Sequence, residues 1–187
     1  MTTQPQTTTV SNWTLDPVHS QAGFNVKHMM ITRVRGRFTD VEGRLELDEE
    51  NPSESYVEVE IDAASIDTRA GDRDTHLRSD DFLGAETHPK ITFRSKRVEG
   101  LTLEPGTEFR VIGDLTIRDV TREVPLKAIY EGTGQDPWGG ERISFSATTT
   151  IDRRDYGLKW NQALETGGFL VGNDVRIQLE AQAVREE

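Results

Sequence analysis

The side chains with chemistry to offer are four histidines and a dense run of acids and arginines. Cysteine is absent, which excludes thiolate catalysis, disulfides and Cys-ligated zinc or iron–sulfur centres. His19 and His28 stand nine apart in one predicted strand and so point to opposite faces, which is wrong for a simple ligand pair. His76 and His88 flank a polar segment and lack the HExxH spacing of a zinc site. The reading is hydrogen-bonded structural histidines with no metal and no cofactor; a metal site assembled in three dimensions is the alternative. Between His76 and its neighbours, Asp72-Arg73-Asp74 and Arg78-Ser79-Asp80-Asp81 admit two chemistries. One is acid–base catalysis on a hydrophobic substrate, with His76 and nearby acids as the working groups. The other is a set of caps and ion pairs that hold the segment in place. A third use belongs to Arg69, Arg73 and Arg78, whose guanidinium forks suit an anionic head group. The chain has no GxSxG, Walker or GxGxxG motif, and Gly167 to Gly172 (GGFLVG) reads as a hairpin.

These residues sit in the stretch from Asp62 to Phe93, the long segment that does not read as strand, turn, strand. Arg69 to Leu77 is helix-compatible, with Asp67 or Thr68 placed to cap it. Ser79 starts a second short turn carrying Phe82 and Leu83, Gly84 stops it, and His88-Pro89 forces the chain into an extended run. One helical insert among strands predicts a lid over the end of a sheet or barrel.

The remainder alternates with period two. Phe24 and Val26 share a face, as do Val34, Gly36 and Phe38, after which the phase slips to Val41, Gly43, Leu45 and Leu47. A one-residue slip predicts a β-bulge that bends the strand. Val57, Val59 and Ile61 follow. Beyond the insert come Ile91 and Phe93; then Phe109, Val111, Leu115 and Ile117; then Leu126 and Ala128; then Phe145, Ala147 and Ile151; and finally Val175, Ile177 and Leu179. Turns are predicted at Asp119 to Arg122 and a loop at Gly132 to Gly140. About eight antiparallel strands, each with one apolar face, favour a closed barrel over a two-sheet sandwich, since closure removes the edges.

At 187 residues the chain is about one domain by length, predicted to run from Trp13 to Glu187 behind a flexible polar tail over residues 1–12. A net charge of −11 disfavours nucleic acid, and anionic membrane surfaces likewise, although Arg33, Arg35, Arg37 and Arg153, Arg154 form local basic runs. The N-terminus lacks the basic and apolar regions of a signal peptide, and no apolar run reaches the length of a spanning helix, so a cytoplasmic location is expected.

An eight-stranded barrel is either filled by its own side chains or holds one elongated ligand. Ala22, Gly36, Gly43, Gly113, Ala128, Ala147 and Ala181 interrupt the inward apolar set. Such small residues either leave space or offset neighbouring aromatics in a packed core, and the pattern alone leaves both readings open.

Four blocks carry a resemblance: Leu15 to Phe38 (LDPVHSQAGFNVKHMMITRVRGRF), Arg73 to Phe93 (RDTHLRSDDFLGAETHPKITF), Gly113 to Ala128 (GDLTIRDVTREVPLKA) and Ile151 to Asn161 (IDRRDYGLKWN). Together, in this order and spacing, they resemble the YceI family. The resemblance implies an all-β, closed, antiparallel, lipocalin-like barrel whose interior binds a polyisoprenoid or similar long-chain, fatty-acid-like lipid. It implies a non-enzymatic carrier or store, and a homodimer. Ligand contacts would then come from Phe24, Val26 and Phe38; from Ile91, Phe93, Phe109, Val111, Leu115 and Ile117; and from Leu126, Phe145, Ile177 and Leu179. His76 and Phe82 of the lid, with Trp160 and Phe169 of the late loop, would close one end, and Arg69, Arg73 or Arg78 would meet the head group. The rival readings are an enzyme for a hydrophobic substrate and a packed-barrel interaction module.

Overall fold

Apolar side chains at every second position give each strand one face that must leave water. The strands meet that need by closing on themselves. The computed structural model describes residues 9–187. Its strands are β1 (Val10–Leu15), β2 (Gln21–His28), β3 (Thr32–Phe38), β4 (Val41–Asp48), β5 (Tyr56–Asp62), β6 (Ile66–Asp67), β7 (Lys90–Glu99), β8 (Glu108–Ile117), β9 (Val120–Gln135), β10 (Glu141–Asp152) and β11 (Val171–Arg185), with one α-helix, α1 (Gly71–Arg78).

All pairings are antiparallel, in the order β1-β4-β5-β7-β8-β9-β10-β11-β2-β3-β6, and β1 also pairs with β11. That last pairing closes the sheet. β11 pairs along one edge with β2 through Val171 to Glu180 and with β1 through Ala183 to Arg185, so β1 and β2 are two halves of one barrel position. β3 and β4 likewise share a position, as do β5 and β6, which gives a closed barrel of eight.

The phase slip between Phe38 and Val41 is a break in the strand, stronger than the predicted bulge. The backbone N–H groups of Thr39 and Asp40 leave the ladder and donate to the Ser65 carbonyl (3.1 Å) and Ser65 Oγ (3.1 Å). True bulges lie elsewhere, between Ser95 and Arg97 against β8 and between Ser144 and Phe145 against β9.

Several boundaries differ from those expected. Val10 to Asn12, assigned to the predicted tail, belong to β1 and pair with Asp48, Leu47 and Glu46; the rest of that prediction, residues 1–8, lies outside the described residues. β9 runs on to Gln135, so the loop predicted over Gly132 to Gly140 is confined to its second half; the bulge, with Gly132 at a φ of 128°, lets the ladder continue. The turn predicted over Asp119 to Arg122 is the two-residue link Arg118-Asp119, because Ile117 pairs directly with Val120.

Helix α1 starts two residues later than predicted and has Ala70 at its N-cap, with no side-chain cap. Asp67 and Thr68 do not cap it. The buried carboxylate of Asp74 instead reaches back and accepts from the Thr68 N–H (2.9 Å) and hydroxyl (2.5 Å). This satisfies the chain that enters the helix rather than the helix itself.

Candidate functional site

The barrel interior holds a cavity of about 320 Å³ whose wall is almost wholly apolar. One rung of the barrel explains how it stays open. Reading across the paired strands, Phe109, Ala128, Ala147, Leu179, Ala22 and Phe38 stand side by side, and all line the cavity. Three alanines among four-carbon and aromatic neighbours leave the middle of that rung unfilled. Gly36 and Gly113 act differently. A Cβ on Gly113 would lie 2.5 Å from Phe93 Cζ, and one on Gly36 would strike the Phe24 ring. At these two positions the missing side chain makes room for a phenyl ring of the wall and adds no space for a guest.

Every strand position contributes to the wall. Phe24 and Val26 come from β2 and Phe38 from β3; Ile91 and Phe93 come from β7; Phe109, Val111, Leu115 and Ile117 come from β8. Leu126 of β9, Phe145 of β10, and Ile177 and Leu179 of β11 complete the predicted set that lines the cavity. One end is plugged by Trp13, Leu47, Tyr130 and Ile143, which are buried and lie outside the lining. Trp13 Nε1 is satisfied there by Ser11 Oγ at 2.8 Å.

The other end is covered by α1 and the turn after it. Leu77, Phe82 and Leu83 project onto the cavity, and Phe82 and Leu83 are buried. His76 and Trp160 are brought together but stand outside the lining. The His76 ring packs edge-on against Trp160 (centroids 4.6 Å) and Phe82 (5.1 Å), and its Nε2 lies 2.8 Å from Asp81 Oδ2. This cluster ties the lid to the late loop. Phe169 is not part of the closure. It pairs through Ala163 in a small hairpin and is 56% exposed.

The three arginines expected at a head group do not line the cavity. Arg73 donates to Thr68 Oγ1 (2.7 Å) and to the Thr68 carbonyl (2.8 Å), and Arg78 to the carbonyls of Ala64 (2.8 Å) and Ile66 (3.2 Å). Both staple the insert to the chain that leads into it. Arg69 takes a left-handed backbone (φ 63°) in the bend before α1.

The polar groups at the lid end are instead Arg153 and Tyr156, from the 3-10 turn that follows β10; both are buried and line the cavity. Arg153 is 4% exposed. Its guanidinium donates to the carbonyls of Leu158 (2.7 Å), Gly172 (2.8 Å) and Trp160 (2.9 Å). Burial pushes its pKa down, yet an arginine keeps its proton throughout the accessible range. Tyr156 Oη is buried and has no hydrogen-bond partner among the described residues. Burial raises its phenol pKa to about 12. The alternation that places Phe145, Ala147 and Ile151 inward continues in phase to Arg153, so the sequence did hold a signal for it. Nothing in the sequence marked Tyr156.

Among the described residues no group of three or more His, Asp or Glu side chains is placed to hold a metal ion. No helix among them is long and apolar enough to cross a membrane, which says nothing of spanning by strands.

Residues 13–183 match the YceI-like domain. The chain belongs to the YceI family. A UPF0312 protein of Staphylococcus aureus is 37% identical over 174 residues, covering 92% of this chain and 97% of that protein. The YceI protein of Campylobacter jejuni, crystallised with large solvent channels, is 31% identical, with a TM-score of 0.71 over 86% of this chain and 90% of that one. A polyisoprenoid-binding domain from Saccharophagus degradans shares the fold at 16% identity, with a TM-score of 0.69 over 93% of this chain and 98% of that one. The barrel fold is thus shared by chains of very different sequence.

Proposed function

We propose that this YceI chain binds one long-chain amphiphilic lipid, of polyisoprenoid or acyl type, inside the barrel and holds or carries it without chemical change. The observation that carries the reading is the apolar cavity of about 320 Å³ in the barrel, widened by three alanines of one rung and lined at one end by Leu77, Phe82 and Leu83. A wall that is almost wholly apolar discriminates by shape and by chain length, and rewards each buried carbon by about 0.8 kcal/mol. A five-carbon unit is then worth about 4 kcal/mol. The total is bounded by the ~18–21 kcal/mol ceiling on non-covalent binding, because ordering the chain offsets much of the gain. The polyisoprenoid named for the Saccharophagus degradans domain is a ligand of this type.

The lid end suits the polar terminus. Tyr156 Oη lacks a partner there among the described residues, and a head group with an acceptor oxygen would meet it. His76, the imidazole nearest the lid acids, does not line the cavity, which supports binding over turnover.

The test is mass spectrometry of an organic extract of protein purified without detergent, followed by titration of the emptied protein with a fluorescent isoprenoid. A stoichiometric polyprenyl or long-acyl species, or saturable binding, supports the reading. An empty extract together with no saturable binding overturns it. Tyr156→Phe should bind a pure hydrocarbon chain as well as the parent does and an oxygen-headed chain more weakly; equal loss for both chains would remove Tyr156 from the head-group role.

A further inference from the structure

We infer that the barrel end bearing the β2–β3 hairpin docks on a bilayer surface containing anionic phospholipid. The hairpin tip is apolar and out in solvent: Met29, Met30 and Ile31 are 44%, 63% and 80% exposed. Phe169, 56% exposed, belongs to the small hairpin beside it. The two tips are joined, since the Met29 N–H donates to the Leu170 carbonyl (2.8 Å) and the Met30 side chain lies against Gly168. Met29 and Met30 both hold left-handed backbone, at φ 52° and 62°. A tight turn of that kind is cheapest with Asn and Gly. Two methionines there carry backbone strain in order to present large apolar side chains to solvent.

The flanks of the tip are basic. Lys27 lies directly across the ladder from Arg33, and Asn25 lies between Arg35 on one side and Arg176 on the other. Like charges directly opposed destabilise a sheet. Among the described residues none of Lys27, Arg33, Arg35 and Arg176 is in a salt bridge. Lys27, Arg33, Arg154 and Arg176 line one depression on the outer wall. The acids near this surface include Asp174 in the depression, Asp152, which Arg154 holds at 2.6 Å, Asp155 beside Arg154, and Glu165 on the neighbouring hairpin. In a chain of net charge −11 this is a local reversal of sign, and it orients the molecule with the tip toward an anionic surface.

Apolar side chains ringed by cations match a bilayer interface, where the former enter the head-group region and the latter meet phosphates. The surface lies at the lid end: Val171, at the edge of this face, pairs with His28 and lines the cavity. On the lipid-binding reading, which this last step rests on, docking would let a chain pass between bilayer and lumen without crossing water. Docking itself does not depend on cargo.

The experiment is flotation of the intact protein with vesicles of phosphatidylcholine alone and of phosphatidylcholine mixed with phosphatidylglycerol. The parent should bind the mixed vesicles and not the neutral ones. Raising salt from about 0.1 M to about 1 M shortens the screening length from ~10 Å to ~3 Å and should release it. Each cation near such a surface strengthens binding about fivefold, so neutralising two, as Arg33→Gln with Arg176→Gln, should weaken it about 25-fold. Ile31→Asp should abolish it while the thermal melt stays unchanged, because the side chain is exposed. No flotation with mixed vesicles, or flotation unaltered by both changes, overturns the proposal. A dimer in gel filtration that Ile31→Asp dissociates, with no flotation, would assign the tip to a second copy and also overturn it. Flotation by protein emptied of lipid that rebinds none would uphold docking while the cargo reading fails.

Discussion

Ala147→Phe separates a lipid-holding barrel from a packed one. Ala147 stands between Ala128 and Leu179 on the rung that keeps the cavity open. In a filled core an added phenyl group forces its neighbours aside and costs about 1–3 kcal/mol. Here the ring enters a cavity of about 320 Å³, and about 150 Å³ is enough to hold benzene in a dry protein cavity. Burial of the ring then gains up to about 2 kcal/mol, offset in part by lost side-chain freedom of about 0.5–1 kcal/mol. The net is a gain of about 1 kcal/mol, which at a urea slope of about 2 kcal/mol per M raises the midpoint by roughly 0.5 M. The same substitution obstructs the lumen at mid-height, so uptake of a fluorescent isoprenoid should fall at least tenfold. The assays are urea unfolding of emptied protein and lipid titration of the folded variant. A midpoint lowered by the equivalent of 1 kcal/mol or more, with lipid uptake unchanged, would refute the reasoning, because it would mean that the rung is filled and the ligand lies elsewhere.

Two further outcomes follow from charged groups in the wall and at its seams. Asp16 accepts from His19 (2.8 Å) and from Arg142 (2.6 Å), and these two contacts hold its carboxyl well below the usual carboxylate range. A depressed carboxylate contributes stability that is present above its unfolded value of about 3.9 and lost as pH falls below it. Acid unfolding followed by tryptophan fluorescence should therefore steepen below about pH 4, and Asp16→Asn should flatten that limb at a cost of about 2 kcal/mol at neutral pH; an unchanged acid limb would remove Asp16 from the seam. Arg153→Met leaves the carbonyls of Leu158, Trp160 and Gly172 unmet and should cost at least about 3 kcal/mol, with early proteolysis between residues 157 and 170; a variant cut no faster than the parent would show that the loop is held by other contacts.

Period-two alternation by itself determines much of this protein's architecture. It placed the inward apolar set, a phase slip near Thr39 that pointed to a bulge where the strand in fact breaks, and the approximate number of strands, because a strand with one dry face has only one orientation that buries it. The insert was legible as well, since a polar run with Gly84 and His88-Pro89 after it cannot continue a sheet. What the sequence left open was whether inward alanines and glycines hold space or merely yield it. The rung of Ala22, Ala128 and Ala147 holds space, whereas Gly36 and Gly113 yield to Phe24 and Phe93, and the difference depends on which side chain stands across the ladder. The polar end of the cavity was likewise decided in three dimensions. Arg73 and Arg78 were the arginines that looked available, yet backbone carbonyls nearby in sequence take them up. Arg153 and Tyr156 reach the lid end because the turn after β10 folds inward beneath the late loop, a placement fixed by carbonyls up to nineteen residues along the chain. Local pattern decides which face of a strand leaves water; only closure of the barrel decides what that face then surrounds.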